Sequence, residues 1–524
     1  MPSSPDALLR ALWKRLERMR SRNPRRLAAL AFAGGIVLLV LAWYFRPWLH
    51  GVVYGVYTTP VLPLAAVLGV GLAALLRRRL GSLVSGQVGL VVFALVLFAG
   101  AGATGLLAGE ELGKTTMDRT ATAGNLSETD PTKPRVVTRS VASRYASNTL
   151  NFPQYRIEGG DITVRNGTPY WSYALAPDGA FNYYTKQQHG TVLVDMTRQN
   201  AEVDTVVGDL RKGIGTAFYN EYRFATLKRA NYLVGYDDPF MVVHGGEQYI
   251  AVPYTRPEFH WLPLPYTTPE WGGVVLLDGD GNVTDLSPAE AREHPVLAEQ
   301  KLYPFELARE RVAATKYRNG VLNTFTSHED EIEVAPVPGE GNDQPFLVFS
   351  DGGPEYVVAV EPYGQAQGLK EVWTVDGRTG EYEVYAPDES LFGARKATDY
   401  VRQAARTTDW NRFTPSEPIP VVIDGQLYWE VRVVPEDSSG IAYVAFVNAR
   451  STDVHEVSTT AEVTAFLGGD RVDGTPDGGA EDRAPTLVVE RVAPNGTVVE
   501  TLEIYGDETV RVVRGNATDA TASG

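Results

Sequence analysis

The sequence predicts an α+β protein: three N-terminal transmembrane helices, then an extracellular array of antiparallel-sheet-plus-helix repeats and a C-terminal β segment. Three observations predict it. Residues 27–108 hold three long apolar runs, each free of Lys, Arg, Asp and Glu. Positive charge gathers before and between those runs, whereas the rest of the chain is acidic. One pattern, a Gly-containing turn followed by an aromatic-led alternating strand, recurs four times beyond residue 140.

The apolar runs extend from Leu27 to Tyr44, from Gly51 to Leu76 and from Leu83 to Leu107. About 20 apolar residues at 1.5 Å rise cover a hydrocarbon core of about 30 Å. A buried core hairpin and a signal peptide are the other readings of such runs. A signal peptide has a shorter apolar region and a cleavage site, and it is not three runs in series. Residues 1–26 form a basic tail with Arg10, Lys14, Arg15, Arg18, Arg20, Arg22, Arg25 and Arg26, and Arg77, Arg78 and Arg79 lie between the second and third runs. The positive-inside rule then puts the N-terminus in the cytoplasm and everything after about residue 109 outside, as a multi-pass cell-membrane protein. Trp43, Tyr44, Trp48, Tyr54 and Tyr57 fall at the expected outer boundary, where aromatic belts form. Residues 6–22 read either as a basic amphipathic helix on the inner leaflet or as a topology-fixing tail. The runs lack ionisable residues, which pumps and transporters need within the membrane, so they read as an anchor.

Residues 109–140 are polar and read as a stalk. The repeat follows. Its turn-plus-strand cores are RNGTPYWSYALA (165–176), HGGEQYIAVPYT (244–255), DGGPEYVVAVEP (351–362) and DGQLYWEVRVVP (424–435). Each has a strand before the turn and a further strand–turn–strand after it, so each unit offers four short strands for an antiparallel meander. Helical segments at 141–150, 287–299, 304–317 and 390–405 separate the copies, and Ser287 with Glu290 makes a capping-box pattern. A helix that covers one sheet face buries the apolar side of both. The expected units are 141–230, 231–320, 321–410 and 411–469. An acidic Gly/Pro-rich linker at 470–485, a β segment at 486–515 and a disordered tail at 516–524 complete the chain.

The hairpin Asp424-Gly425-Gln426-Leu427-Tyr428-Trp429 and the turn Asp376-Gly377-Arg378-Thr379-Gly380 resemble the PepSY and cystatin-like families. That resemblance implies a helix packed on a curved antiparallel sheet. It also implies a non-enzymatic role: binding or restraining a partner, often a protease, or forming part of an extracytoplasmic sensor. The acidic, lysine-poor, cysteine-free composition resembles surface proteins of haloarchaea.

Composition excludes several chemistries. With no cysteine there is no disulfide framework, thiol nucleophile or thiolate metal site. Residues 1–108 carry twelve Lys/Arg and two acids, and the remainder carries 36 basic against 62 acidic residues. Such a body argues against nucleic-acid binding through phosphate neutralisation. None of the seven histidines falls in an HExxH or metal-ligand spacing, and neither a nucleophile elbow nor a phosphate loop occurs. No catalytic, cofactor or metal residues are therefore assigned. Asp278-Gly279-Asp280-Gly281-Asn282 with Asp285 reads either as a fragment of a calcium loop or as a plain hairpin turn.

The second copy contains an insertion rich in aromatics and proline, with Arg256, Phe259, His260, Trp261 and Tyr266, followed by Trp271. It reads either as a partner-binding loop or, for its tryptophans and Phe259, as filling between sheet and helix. Five N-x-S/T sequons, at Asn125, Asn166, Asn282, Asn495 and Asn516, all follow the apolar runs and are candidate glycosylation sites on an outer face. The expected function is that of a membrane-anchored binding or regulatory protein, with membrane lipid and another membrane or surface protein as partners and no cofactor. A structural surface or envelope protein of a cell, virus or mobile element is the first alternative, and a tethered hydrolase the second.

Overall fold

The computed structural model describes residues 24–337, 344–350, 352–366, 368–405, 407–436, 439–469, 487–492 and 498–504. The apolar N-terminal region corrects the expectation of three crossings. Helix α1 (Pro24–Tyr44) gives way at Phe45 to α2 (Arg46–Tyr57), and the segment from Phe32 turns by 89° between them. The second apolar run is broken at Thr59-Pro60: its first part belongs to α2, and the rest forms α3 (Val61–Arg77), an apolar helix of 17 residues. At 1.5 Å per residue, α3 falls short of a core of about 30 Å. Gly81, at φ 76°, separates α3 from α4 (Val84–Arg119). Among the described residues, α4 alone is a single helix long and apolar enough to cross a membrane. Three crossings are thus reduced to one, or to two if the bent pair Phe32–Tyr44 and Arg46–Tyr57 makes a single span. The second run is lost as a span because a count of apolar residues along the chain ignores the break at Thr59-Pro60, where proline removes a donor and clashes with the preceding turn.

The segment expected as a stalk is built into the body. Residues 110–119 complete α4, β1 (Thr120–Thr122) pairs in parallel with a later strand, and Val136 and Val137 are fully buried.

Four antiparallel meanders follow, each preceded by a helix. The first has α5 (Arg139–Asn148), then β2 (Tyr155–Arg165), β3 (Thr168–Pro177), β4 (Gln188–Asp195) and β5 (Val203–Leu210), with a short α6 (Ala180–Thr185) between β3 and β4. In the second, α7 (Tyr222–Arg229) precedes β6 (Gly235–Tyr236), β7 (Phe240–His244), β8 (Glu247–His260), β9 (Tyr266–Leu277) and β10 (Val283–Leu286); β6 and β7 both pair with β8. After α8 (Pro288–Glu293), the third opens with α9 (Phe305–Ala314) and β11 (Ile332–Val334). It continues through β12 (Phe346–Ser350), β13 (Gly353–Pro362), β15 (Glu371–Asp376) and β16 (Tyr382–Tyr385), with a small ladder of β14 (Gly368–Leu369) and β17 (Leu391–Phe392) beside it. β1 joins this sheet along β16. The fourth has α10 (Ala394–Ala404), β18 (Phe413–Ile423), β19 (Gln426–Pro435), β20 (Tyr443–Asn448) and β21 (Val454–Val457), closed by α11 (Thr460–Leu467).

Local chemistry explains the hairpins. Asn166 (φ 52°) with Gly167 (φ 79°), Gly245 (61°) with Gly246 (85°), and Asp424 (49°) with Gly425 (70°) supply the paired positive φ of the two-residue turn that suits strand twist. The meanders pack through shared cores. On β13, Tyr356, Val358 and Val360 join Trp171, Tyr173 and α5 of the first meander together with α9. The alternate residues Val357 and Ala359 join Trp429, Val431 and α10 of the fourth. Side chains alternate across a strand, so β13 is buried on both faces and forms the middle layer.

A separate unit contains β22 (Leu487–Val492) and β23 (Val498–Ile504), which form an antiparallel hairpin with Leu487 opposite Ile504. The basic segment 6–22, the linker 470–485, the Asn495-Gly496 turn and Asn516 lie outside the described residues.

Candidate functional site

A cleft of about 580 Å³ opens where elements of the first three meanders meet. One wall is β2, whose alternation is broken at Gly159 (φ 73°) and Gly160 (φ 139°), where the pairing with β3 slips between Glu158 and Asp161. A Cβ on Gly160 would lie 2.6 Å from the Tyr173 ring, so a side chain there is excluded. Such a bulge re-aims the residue that follows it. Here that residue is Asp161, whose carboxylate meets Lys301 Nζ at 2.7 Å and accepts its neighbour's N–H, from Ile162, at 2.7 Å.

Lys301 comes from the loop before α9, and its side chain is 6% exposed. Burial disfavours its charge, but Asp161, with Tyr356 and Asp237, more than offsets this and holds the ammonium above the ordinary lysine range. Its Nζ also lies 4.7 Å from the Phe240 ring centre. Tyr356 donates its hydroxyl to the Tyr303 carbonyl at 3.0 Å.

The opposite wall is acidic. Asp237 follows β6, accepts the Asp238 N–H at 2.9 Å, and is pushed above the usual carboxylate range by burial. Glu221, at the start of α7, is pushed up by burial to about 7, with Arg223 only partly countering it. Asp238 and Glu306 complete that side. Two of the basic groups lining the cleft are committed to carboxylates, Lys301 to Asp161 and Arg135 to Glu417 at 3.1 Å. The arrangement presents fixed, partly desolvated charge with a surplus of carboxylates, suited to a cationic ligand.

The residues expected in a partner-binding loop lie elsewhere. The insertion is no irregular loop: β8 and β9 extend through it as one hairpin, with Phe259 opposite Thr267 and His260 opposite Tyr266. The Phe259 ring packs 5.0 Å from Tyr57 of α2, and Thr267 Oγ1 donates to the Thr58 carbonyl at 2.8 Å. His260 stacks on the buried Tyr266 and bonds Thr268 at 2.9 Å. Trp271 packs against Tyr303 at 5.5 Å, Arg256 is exposed, and Trp261 at the tip is 68% exposed. Asn125, Asn166 and Asn282 are all exposed. The turn at 278–282 is closed by the Asp278 carboxylate, which accepts from the Asn282 backbone and side chain at 2.8 Å each.

Sequence reasoning missed the cleft. Its one local signal is Glu158-Gly159-Gly160-Asp161, since glycine inside a strand marks a bulge or a close approach. No protein-family model and no curated protein matches the chain. Among solved structures, a chain from Parabacteroides distasonis ATCC 8503, provisionally described as a glycoside hydrolase, aligns at 10% identity over 65% of this chain and 80% of its own, with a TM-score of 0.17. That score is too low to carry a fold or functional argument.

Proposed function

We propose that this chain is a membrane-anchored, outward-facing binding protein whose body recognises a cationic segment of a partner protein in the cleft at the junction of its first three meanders. The observation that carries the reading is the surplus of carboxyl groups in the cleft: Lys301 is taken up by Asp161 at the bulge in β2, while Glu221, Asp237, Asp238 and Glu306 line the opposite wall. Charges held rigidly and partly out of water are prepared to recognise a ligand without reorganising. The anchor is supported by α4, the long apolar helix, and the outward orientation by the positive-inside rule, since Arg77, Arg78 and Arg79 precede α4 and the acidic body follows it.

One observation favours a second reading. A carboxyl that titrates near 7, as Glu221 does, suits general acid–base chemistry in a tethered hydrolase.

The test uses the full chain, solubilised from membranes, as bait beside the double variant Glu221→Gln/Asp237→Asn. Under the binding reading, a partner bearing a basic segment is recovered about tenfold less by the variant, equivalent to about 1.4 kcal/mol. Equal recovery of every protein by both baits removes the cleft from the reading. Turnover of a glycan, ester or peptide by the wild type, lost in the variant, replaces it with the enzymatic one.

A further inference from the structure

We propose that the body is seated on the lipid surface by apolar tips that enter the bilayer interface around α4. This inference rests on the reading that α4 spans the membrane.

Two chain segments run down α4 toward its apolar part, in a register the contacts define. On the β8–β9 hairpin, Glu270 meets Arg119 at 3.1 Å, and Tyr266 lies within the field of Glu110 and Glu111. From Glu270 to Tyr266 the strand covers about 13 Å at about 3.3 Å per residue. From Arg119 to Glu111 or Glu110 the helix covers about 12–14 Å at 1.5 Å per residue. The two lengths agree, so strand and helix travel side by side. The tip beyond Tyr266 therefore sits level with residues before Glu110, where α4 has no charged side chain back to Val84. At that tip Trp261 is 68% exposed and Leu262 86% exposed.

The second segment is tied to the first, since Arg311 of α9 pairs with Glu270 at 2.7 Å, and it follows α4 through contacts of its own. Arg311 of α9 meets Thr116 at 3.5 Å, Ala314 lies against Gly113, and the Tyr317 ring lies against Gly109. The chain then passes into a 3₁₀ turn, Val321–Phe325, in which Leu322 is 78% and Phe325 65% exposed. Its contacts step from Thr116 through Gly113 to Gly109, so it runs toward the same apolar part of α4 as the hairpin.

α2 marks that level. One face of it holds the body: Arg46 donates to the Leu227 and Lys228 carbonyls, and His50 Nε2 lies 3.1 Å from the Val234 carbonyl. Val52 and Val56, on its other side, are exposed. A short helix with one apolar face, turned 89° from the helix before it, has the geometry of a helix lying in the interface plane. Tyr57 joins α2 to the hairpin through Phe259. The occupant is lipid because these apolar surfaces are continuous with the spanning helix.

The chain has no cysteine, so single-cysteine variants report one position each. Leu262→Cys, Leu322→Cys, Leu95→Cys within α4 and Ser451→Cys on the fourth meander are labelled with an environment-sensitive dye. Each full-length protein is reconstituted in phosphatidylcholine vesicles, with circular dichroism confirming the fold. A lipid carrying a shallow nitroxide is expected to quench the labels at 262 and 322 at least about twofold more than the label at 451, and aqueous iodide is expected to do the reverse. Labels at 262 and 322 that iodide quenches freely, with Leu95→Cys still quenched by lipid, overturn the seating and leave the anchor standing. Shielding from iodide without lipid quenching means that a second copy covers the tips, and it overturns the inference equally. Failure at Leu95→Cys removes the anchor and the seating together.

Discussion

Replacing Glu417 by alanine should destabilise the body by about 4 kcal/mol, because it strands a buried cation. Glu417 sits at a bulge in β18 with φ 48°, and its side chain is 3% exposed. Its carboxylate takes Arg135 Nη2 at 3.1 Å and the Arg139 N–H at 3.0 Å. Beside it, the fully buried Arg432 pairs with Glu430 at 2.8 Å and donates to the Glu417 carbonyl at 2.9 Å. Two guanidinium groups thus face two carboxylates out of water. Burial pushes the Arg135 guanidinium below its ordinary range even with Glu417 present, so its charge is already expensive. Removing one partner of a buried pair costs about 3–5 kcal/mol, and an orphaned buried N–H adds about 1–3 kcal/mol before relaxation. Against a total stability of about 5–15 kcal/mol that is a large fraction. The assay is urea unfolding of the solubilised chain followed by tryptophan fluorescence, since Trp171 lies 5.3 Å from the Arg135 guanidinium. The double variant Arg135→Met/Glu417→Met removes both charges and should recover at least about 2 kcal/mol relative to the sum of the single losses. A loss below about 1 kcal/mol for Glu417→Ala, or strict additivity in the cycle, refutes the account of a desolvated pair.

Two further perturbations follow from the same contacts. Glu221 has a folded-state pKa of about 7 against an ordinary value of 4.5, so the folded protein holds the extra proton between those values. Its contribution to stability is therefore fullest below about pH 4.5 and is lost as pH rises through 7; Glu221→Gln should remove that part of the slope and gain on the order of 1–3 kcal/mol over wild type above pH 7, and a variant-minus-wild-type difference that is the same at pH 4 and 8 in denaturant titrations would contradict it. At Gly113, a Cβ would lie 2.3 Å from the Ala314 carbonyl oxygen, so Gly113→Leu must push α4 away from α9 and should cost about 1–3 kcal/mol with faster proteolysis after residue 119; wild-type stability would mean that the two helices do not pack.

The chain's own residues determined what depends on neighbours in sequence. The Asn166-Gly167, Gly245-Gly246 and Asp424-Gly425 turns need only a local tolerance of positive φ, and the flanking alternation supplies a face to bury. The helices ahead of the first, third and fourth meanders and the Ser287–Glu290 cap are local for the same reason, and the cap forms as a reciprocal pair, whereas α7 ahead of the second meander was not foreseen. The partition of charge between the first 108 residues and the rest is likewise plain in the sequence. Tertiary structure decided what depends on breaks and long-range contacts. The divisions near Phe45 and Gly81 coincide with the ends of apolar runs, but apolar composition does not reveal that Thr59-Pro60 splits the second run into two short helices, and so it overcounts the crossings. The polar appearance of residues 109–140 hides a helix end, a parallel strand and the buried Val136 and Val137. The cleft was least legible of all, because Asp161, Glu221, Asp237 and Lys301 are far apart in sequence and meet only when three meanders pack. No periodicity records such a meeting, since pairing charges across distant segments is a property of the assembled low-dielectric core.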